Sequence, residues 1–473
     1  MHVPTLAILM NEALKRDAWL KPAIDYVDGW IAFQMRQFDQ PGCSIAISQG
    51  QTLAFEKSFG VADLNTGELL TERHRFRVAS HSKTFTAAGI LKLKDEGRLR
   101  LDDCAGSFVN GLNPRVASVT IGQLLSHSAG LTRDGPNGGQ FSDQRPFLSK
   151  DELLGELGDP APIEAGVRYK YSNHGFGLLG LIIEAVTLEP YDAWIMREII
   201  RPAGLTETTP DMPADGREPF ARGHTARLPL GRRAVSPGDN KTNGMMSATG
   251  FVSTASDLVR FFSQLLPSAQ NSVLSSESRR DMTRPHWRDR ESALGRSYGL
   301  GVHYGQIGPW DYFGHLGRFQ GSLTRTAVLP GTGLAISVLT NANDGQAAQW
   351  LDGIVHILRR FRENAAPTPE AEDWNGRWWN MWGAVDLVAV GSKIEAFSPA
   401  LYPPFSEASE VTLTGADSGL VTRAPATDRF GEAVRRVRGS NGTVTEIWIG
   451  GSRFFTEEAL KFETLKRYGR GEQ

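Results

Sequence analysis

Apolar residues Leu20, Ile24, Val27, Ile31 and Met35 recur at helical spacing and predict an amphipathic helix over roughly residues 19–38. The period then changes. The stretch PGCSIAISQGQTLAFEKSFGVADLNTG reads as two strands joined at Gln49–Gly50 and closed by the turn Asn65-Thr66-Gly67. FTAAGILKLKDEG, starting at Phe85, returns to helix, with Gly97 placed as its C-terminal stop. Residues 104–295 read mainly as helical patches parted by Gly/Pro loops, FGLLGLIIEAV and SDLVRFFSQLL among them. Strand character resumes at SYGLGVHYG, SLTRTAVLP and GLAISVLTN. The economical arrangement is one sheet built from both ends of this region, with helices inserted between.

The composition breaks at RENAAPTPEAEDWNG, residues 362–376, which is rich in Pro, Ala and Glu. This places one domain at 1–362, a linker at 363–376 and a second domain at 377–473. Beyond the break come short alternating runs, VDLVAVGSKIEAF, VTLTG, GLVTRAP, TVTEIWIGG and SRFFT, which suggest a small antiparallel barrel or sandwich. Trp374, Trp378, Trp379 and Trp382 open it and are expected to fill its core rather than to form a lid.

Composition removes several function classes. Fifty-one basic residues face 53 acidic ones, which is no footprint of a nucleic-acid binder, and no polybasic run suggests a membrane surface. No stretch approaches the length of a membrane span. The apolar run VPTLAILM near the start lacks a preceding basic segment and a following small-residue cleavage site, so a cytoplasmic location is expected. Cys43 and Cys104 make no disulfide framework and read as small buried side chains. The ten histidines show no metal-ligand spacing. His81 and His127 are read as hydrogen-bonding residues rather than metal ligands, and no cofactor is expected.

Three short patterns carry chemistry. In FRVASHSKTFTAAGILKLKDEGRL, Ser80 sits at the entrance to a helix, with Lys83 one turn on and on the same face. The helix end favours developing negative charge, and a desolvated lysine can accept the serine proton. That makes an activated nucleophile without histidine. The bland alternative is a surface lysine. The second pattern is Tyr171-Ser172-Asn173, immediately before a strongly apolar helix. The third is His315-Leu316-Gly317, leading into a strand where glycine permits close backbone approach. Taken singly, Tyr171 reads as a buried phenol and His315 as a satisfied strand histidine.

In this order the three patterns resemble the serine β-lactamase and penicillin-binding-protein superfamily. The branch is the one that holds class C β-lactamases, D-aminopeptidases and β-lactamase-like carboxylesterases. PGCSIAI, TIGQLLSHSAGL, RPAGLTET, ATGFVSTASDLVRF and LAISVLTN add to the likeness, which covers roughly residues 35–360. The resemblance implies an α/β (α+β) fold: a β-lactamase-like sandwich of an antiparallel sheet flanked by helices, with an all-helical insert, followed by a small lipocalin-like C-terminal barrel. It further implies that Ser80 attacks a carbonyl to form an acyl-enzyme, and that Lys83 and Tyr171 share the base role. Asn173 would hydrogen-bond Lys83 or the substrate amide. His315 and Gly317 would line the site, and the backbone N–H groups of Ser80 and Arg318 would form the oxyanion hole, single donors of which are worth ~3 kcal/mol. Many relatives carry lysine where this chain has His315. A largely neutral histidine argues against a β-lactam or peptide carboxylate, and for an ester, amide or small peptide. Arg318 or Arg325 would be the residues to restore a positive charge.

Two rivals stand beside this reading. Gly295-Arg296-Ser297-Tyr298-Gly299 matches G-x-S-x-G, which would make Ser297 the nucleophile of an esterase if a strand preceded it and a helix followed. A chain of the same fold could also act as an acyltransferase or transpeptidase, or acylate once and serve as a penicillin-binding sensor. The expected partner is a small molecule or short peptide, and the oligomeric state stays open.

Overall fold

In the computed structural model, which describes residues 18–213, 219–293 and 295–469, helix α1 spans Leu20–Gln37. The apolar run at 3–10 and the expectation attached to it lie outside the described residues. Contacts divide the chain into two compact units: Asp39–Leu351, and the described residues up to Phe38 together with Asp352 onward. The composition break instead marks 363–376. That stretch holds the end of a helix and a short helix, Pro369–Glu372.

The first unit is built on a nine-stranded sheet. Its strands are β1 (Gly42–Gln49), β2 (Thr52–Asp63), β3 (Glu68–Leu69), β4 (Trp287–Arg288), β5 (Ser297–Tyr298), β6 (His303–Ile307), β7 (Trp310–Phe319), β8 (Ser322–Leu329) and β9 (Leu334–Thr340). The order is β3-β2-β1-β9-β8-β7-β6-β5-β4, antiparallel throughout. The two ends of the segment therefore meet at β1 and β9, where Cys43 pairs with Thr340. β9 is buried at every position and β1 at all but its last, as strands covered on both faces must be.

Residues between β3 and β4 form the insert. Its helices include α2 (Ser82–Asp95), α3 (Asn173–Thr187) and α4 (Ala255–Ser263). The insert is not wholly helical: Phe76–Arg77 pairs with Val252–Ser253, and Gly223–His224 with Val235–Ser236. Helix α2 is buried on all sides from Ser82 to Leu91, which makes it the axis of the unit. Phe85 stacks on Phe251 and Phe261, and Gly89 lets Ile195 and Trp194 approach where a Cβ would stand 2.9 and 3.0 Å from them. Gly97, with φ +70°, ends the helix as expected.

Helix α5 (Ala347–Asn364) begins in the first unit. In the second unit, eight strands from Gly376–Asn380 to Ser452–Phe455 close into an antiparallel barrel, followed by helix α6 (Glu457–Tyr468). Trp374 and Trp378 belong to its core, as expected, but Trp382 is 88% exposed at the first hairpin. The expectation that all four tryptophans fill the barrel is corrected there, because Trp382 lies in the turn and not on a strand face. Helix α1 is tied to the barrel residues by Trp30 Nε1 and Gln34 Nε2, which both donate to Pro399 O, and by Tyr26 Oη to Asp386 at 2.8 Å. Cys43 is buried, and Cys104 is exposed, against the expectation for the latter; it precedes a short 3-10 turn at the surface. Among the described residues no helix is long and apolar enough to cross a membrane.

Candidate active site

Ser80 lies in a 3-10 turn, Ala79–His81, that feeds directly into α2. Ala79 is held at φ +47°, a region sparsely used by residues with a Cβ, so the turn that presents Ser80 is strained. The neighbouring His81 anchors the turn: Nδ1 sits 2.9 Å from Val78 O and Nε2 3.0 Å from Thr326 Oγ1 on β8. Burial lowers its pKa to about 4, so it is a neutral structural ring.

Lys83, the second residue of α2, is fully buried, so the bland surface reading fails. Its Nζ donates to Ser80 Oγ at 3.1 Å, to Asn173 Oδ1 at 2.6 Å and to Ala248 O at 2.8 Å. Desolvation drives its pKa well below the ordinary 10.5; the Arg133 charge lowers it further, and Asp134 opposes both. The ammonium position also lies 4.9 Å from the centre of the Tyr171 ring. Tyr171 is half-buried. Loss of solvent raises its phenol above 10, partly offset by a hydrogen bond with Ser80 and by Arg133. Burial thus favours the protonated phenol at Tyr171 and the uncharged amine at Lys83.

Asn173 opens α3, with Ser172 capping the helix through Gly175 N–H at 2.9 Å. Its Oδ1 faces Lys83, while Nδ2 donates to Asp134 Oδ1 at 2.5 Å. The amide orientation is thus fixed by the Lys83 amine as donor on one side and the Asp134 carboxylate as acceptor on the other. Arg133 lies 4.8 Å from the Tyr171 ring centre and 3.1 Å from Asp134. Arg133 and Asp134 escaped the sequence reading because TRDG looks like an ordinary polar loop.

The third segment is β7. Its pairing with β6 runs from His303–Gly314 to Ile307–Trp310, so the edge beyond Gly314 carries no pairing with that strand. Gly317 passes so close to the Ser80 turn that a Cβ there would stand 2.2 Å from Val78 O and 2.4 Å from Thr324 Oγ1. This brings the backbone of Gly317 and Arg318 beside the turn; the Arg318 side chain is exposed. His315 is buried, with Nε2 3.0 Å from Tyr298 Oη and its pKa pushed well below 6.5, first by desolvation. Arg325 does not supply the missing charge. It alternates with Thr326, which meets His81, and it reaches Ala348 O at 2.9 Å on the opposite sheet face.

Ser297 sits on β5 and is followed by β6 rather than a helix, so the G-x-S-x-G context is not met. Its neighbour Tyr298 is the residue that reaches the site, through His315. His127 joins the same cluster, 4.1 Å from the Tyr171 ring and 4.6 Å from that of Tyr298. Ser80, Lys83, Tyr171 and Asn173 thus converge from two distant segments, with β7 alongside.

The model of the family described as Beta-lactamase matches residues 27–357. Protein flp of Staphylococcus aureus (strain NCTC 8325 / PS 47) is 29% identical over 192 residues, 39% of this chain and 37% of its own length. The match thus spans little more than a third of that relative. Penicillin-binding protein 4 of Amycolatopsis lactamdurans is 27% identical over 319 residues, 64% of this chain and 81% of its own. Among solved structures, the octameric penicillin-binding protein homologue from Pyrococcus abyssi has a TM-score of 0.65 at 20% identity, covering 92% of this chain and all of its own. D-amino acid amidase from Ochrobactrum anthropi SV3, complexed with D-phenylalanine, has a TM-score of 0.63 at 22% identity over 71% of this chain and 99% of its own. At these identities the solved structures speak for the fold.

Proposed function

The chain belongs to the beta-lactamase family of serine hydrolases, and from that premise we propose that it cleaves an ester or amide bond of a small substrate through an acyl-enzyme on Ser80. The observation that carries this reading is a buried Lys83 whose Nζ sits 3.1 Å from Ser80 Oγ in surroundings that disfavour its charge. Neutral Lys83 takes the Ser80 proton while Oγ attacks the carbonyl carbon. Backbone N–H groups of Ser80 and Arg318 hold the oxyanion. Tyr171 gives its proton to the departing amine or alcohol and is reprotonated by Lys83. Water then loses a proton to Lys83 as it attacks the acyl carbon, and Lys83 returns that proton to Ser80 Oγ as the acid leaves. Asn173 keeps the lysine lone pair aimed at Ser80.

The substrate class is an amino-acid amide, a short peptide or a carboxylic ester. Buried, neutral His315 gives a substrate carboxylate no cation at that position, whereas the Asp134 carboxylate beside Asn173 is an acceptor for a free amine. The relative that is titled a D-amino acid amidase fits this class. A cytoplasmic location belongs to the same proposal: a free, exposed Cys104 thiol suits a reducing compartment. The test compares Ser80→Ala with Ser297→Ala on an ester, an amide, a D-amino-acid amide and a cephalosporin. Loss of all activity in Ser80→Ala alone is expected; loss in Ser297→Ala alone would transfer the role to the G-x-S-x-G serine.

A further inference from the structure

One residue outside the reacting set fastens the chain on both sides of Tyr171. The backbone carbonyl of His127 accepts Lys170 N–H at 2.7 Å, and its Nδ1 accepts Ser172 N–H at 3.2 Å. The amides that flank Tyr171 are therefore both held by the same histidine, from a distant segment of the chain. Its ring also packs on that of Tyr171 at 4.1 Å, with Phe176 at 5.1 Å and Tyr298 at 4.6 Å closing around it.

His127 occupies this place against two costs. Its φ is +57°, in the left-handed region that residues with a Cβ avoid. Its side chain is 1% exposed, and Nε2 has no hydrogen-bond partner among the described residues. Because Nδ1 accepts an N–H, a neutral ring must carry its hydrogen on that unpartnered Nε2. A buried donor left unmet is unfavourable, and a leucine would fill an aromatic pocket without it. A leucine, however, has no acceptor for Ser172 N–H. Asparagine does, and tolerates the left-handed backbone better than most residues.

We propose that His127 is a positioning residue for Tyr171: through the amides of Lys170 and Ser172 and through ring contact, it sets where the phenol stands relative to Ser80 and Lys83. The assignment rests on Tyr171 acting as the proton donor proposed above. No bond to His127 forms or breaks; its contribution is geometric and should appear in acylation rate rather than in substrate affinity.

The experiment measures the acylation rate of Ser80 with a chromogenic D-amino-acid anilide, alongside KM and melting temperature. The proteins are wild type, His127→Leu, His127→Asn, Tyr171→Phe and the His127→Leu/Tyr171→Phe double variant. His127→Leu should slow acylation about 100-fold, the lower range for a displaced proton-transfer group, with KM changed less than about threefold. His127→Asn should stay folded and recover most of the rate. In the Tyr171→Phe background, His127→Leu should cost little more, since the group it positions is gone. An equal further loss in that background, a wild-type rate in His127→Leu, or a folded but slow His127→Asn would each overturn the assignment. If His127→Leu does not fold, the asparagine variant decides alone. A wild-type protein that never acylates Ser80 would sink the hydrolase reading itself, a result distinct from all of these.

Discussion

Lys83 Nζ and Asn173 Oδ1 stand 90 positions apart in the chain and 2.6 Å apart in the fold. The contact joins α2, which follows the Ser80 turn, to α3, which follows Tyr171. It also aims the lysine, since Asn173 is itself braced by Asp134. Asn173→Ala should leave Lys83 with Ala248 O and Ser80 as partners but free to swing. The acylation rate should fall about 100-fold for a displacement on the scale of an ångström, with little change in melting temperature. Single-turnover kinetics with circular dichroism provides the check, and an unchanged rate would show that the lysine needs no such guide.

The proton-accepting role proposed for Lys83 fixes the sign of the pH dependence. An ammonium cannot take the Ser80 proton, so kcat/KM must rise with pH as Lys83 is deprotonated. Burial pulls that ionisation well below 10.5. The rising limb should therefore lie well below 10.5 in wild type; a limb that appears only near 10.5 would mean an ordinary, solvated amine.

The same shift links pH to stability. Between the folded and the unfolded pKa of Lys83 the unfolded chain binds more protons, so this residue makes stability rise with pH. The stability of wild type relative to Lys83→Met should thus increase as pH rises towards 10.5 and level off above it. Denaturant titrations of both proteins across that window read this directly, and parallel curves would contradict it.

Gly317 is placed by close approach. A methyl group there would press on Val78 O at 2.2 Å, a backbone atom two residues from Ser80. Gly317→Ala should cost about 2–3 kcal/mol as an overpacked site and slow acylation by shifting the Ser80 turn. Denaturant melts and acylation rates together test this; a stable, fully active variant would show that the turn and β7 are looser than drawn.

The two thiols should separate cleanly. Cys43 is buried on β1 and its thiol is raised by desolvation, whereas Cys104 is exposed. One equivalent of Ellman's reagent should react in the native protein and two after denaturation. Two fast equivalents in the native state would place Cys43 at the surface.

Much of this molecule was legible because its signals are local. The periodicity of Leu20 to Met35, the glycine stop at Gly97 and the hairpin at Gly50 each depend on a few neighbours, and the elements fall where the pattern put them. Ser80 and Lys83 were readable for the same reason: three positions on one helical face fix their proximity. The less legible parts are those set by tertiary packing. Arg133, Asp134 and His127 reach the Tyr171 region through loop geometry that no periodicity encodes. SYGLGVHYG, read as one strand, splits into β5 and β6, because Gly301 at φ +74° lies where a Cβ would stand 2.4 Å from Ala87. Cys104 shows the reverse error: residue type suggested burial, while the turn at Ala105 left it outside.

In the proposed mechanism, acylation of Ser80 depends on Lys83 taking its proton. The most direct measurement is intact-mass and peptide-mapping spectrometry of protein quenched in acid during turnover of a slow ester or D-amino-acid anilide. An acyl adduct on Ser80, present in wild type and lost in Lys83→Met while that variant remains folded, is the result expected. An adduct on Ser297, or one on Ser80 that forms equally fast without the lysine, would contradict it.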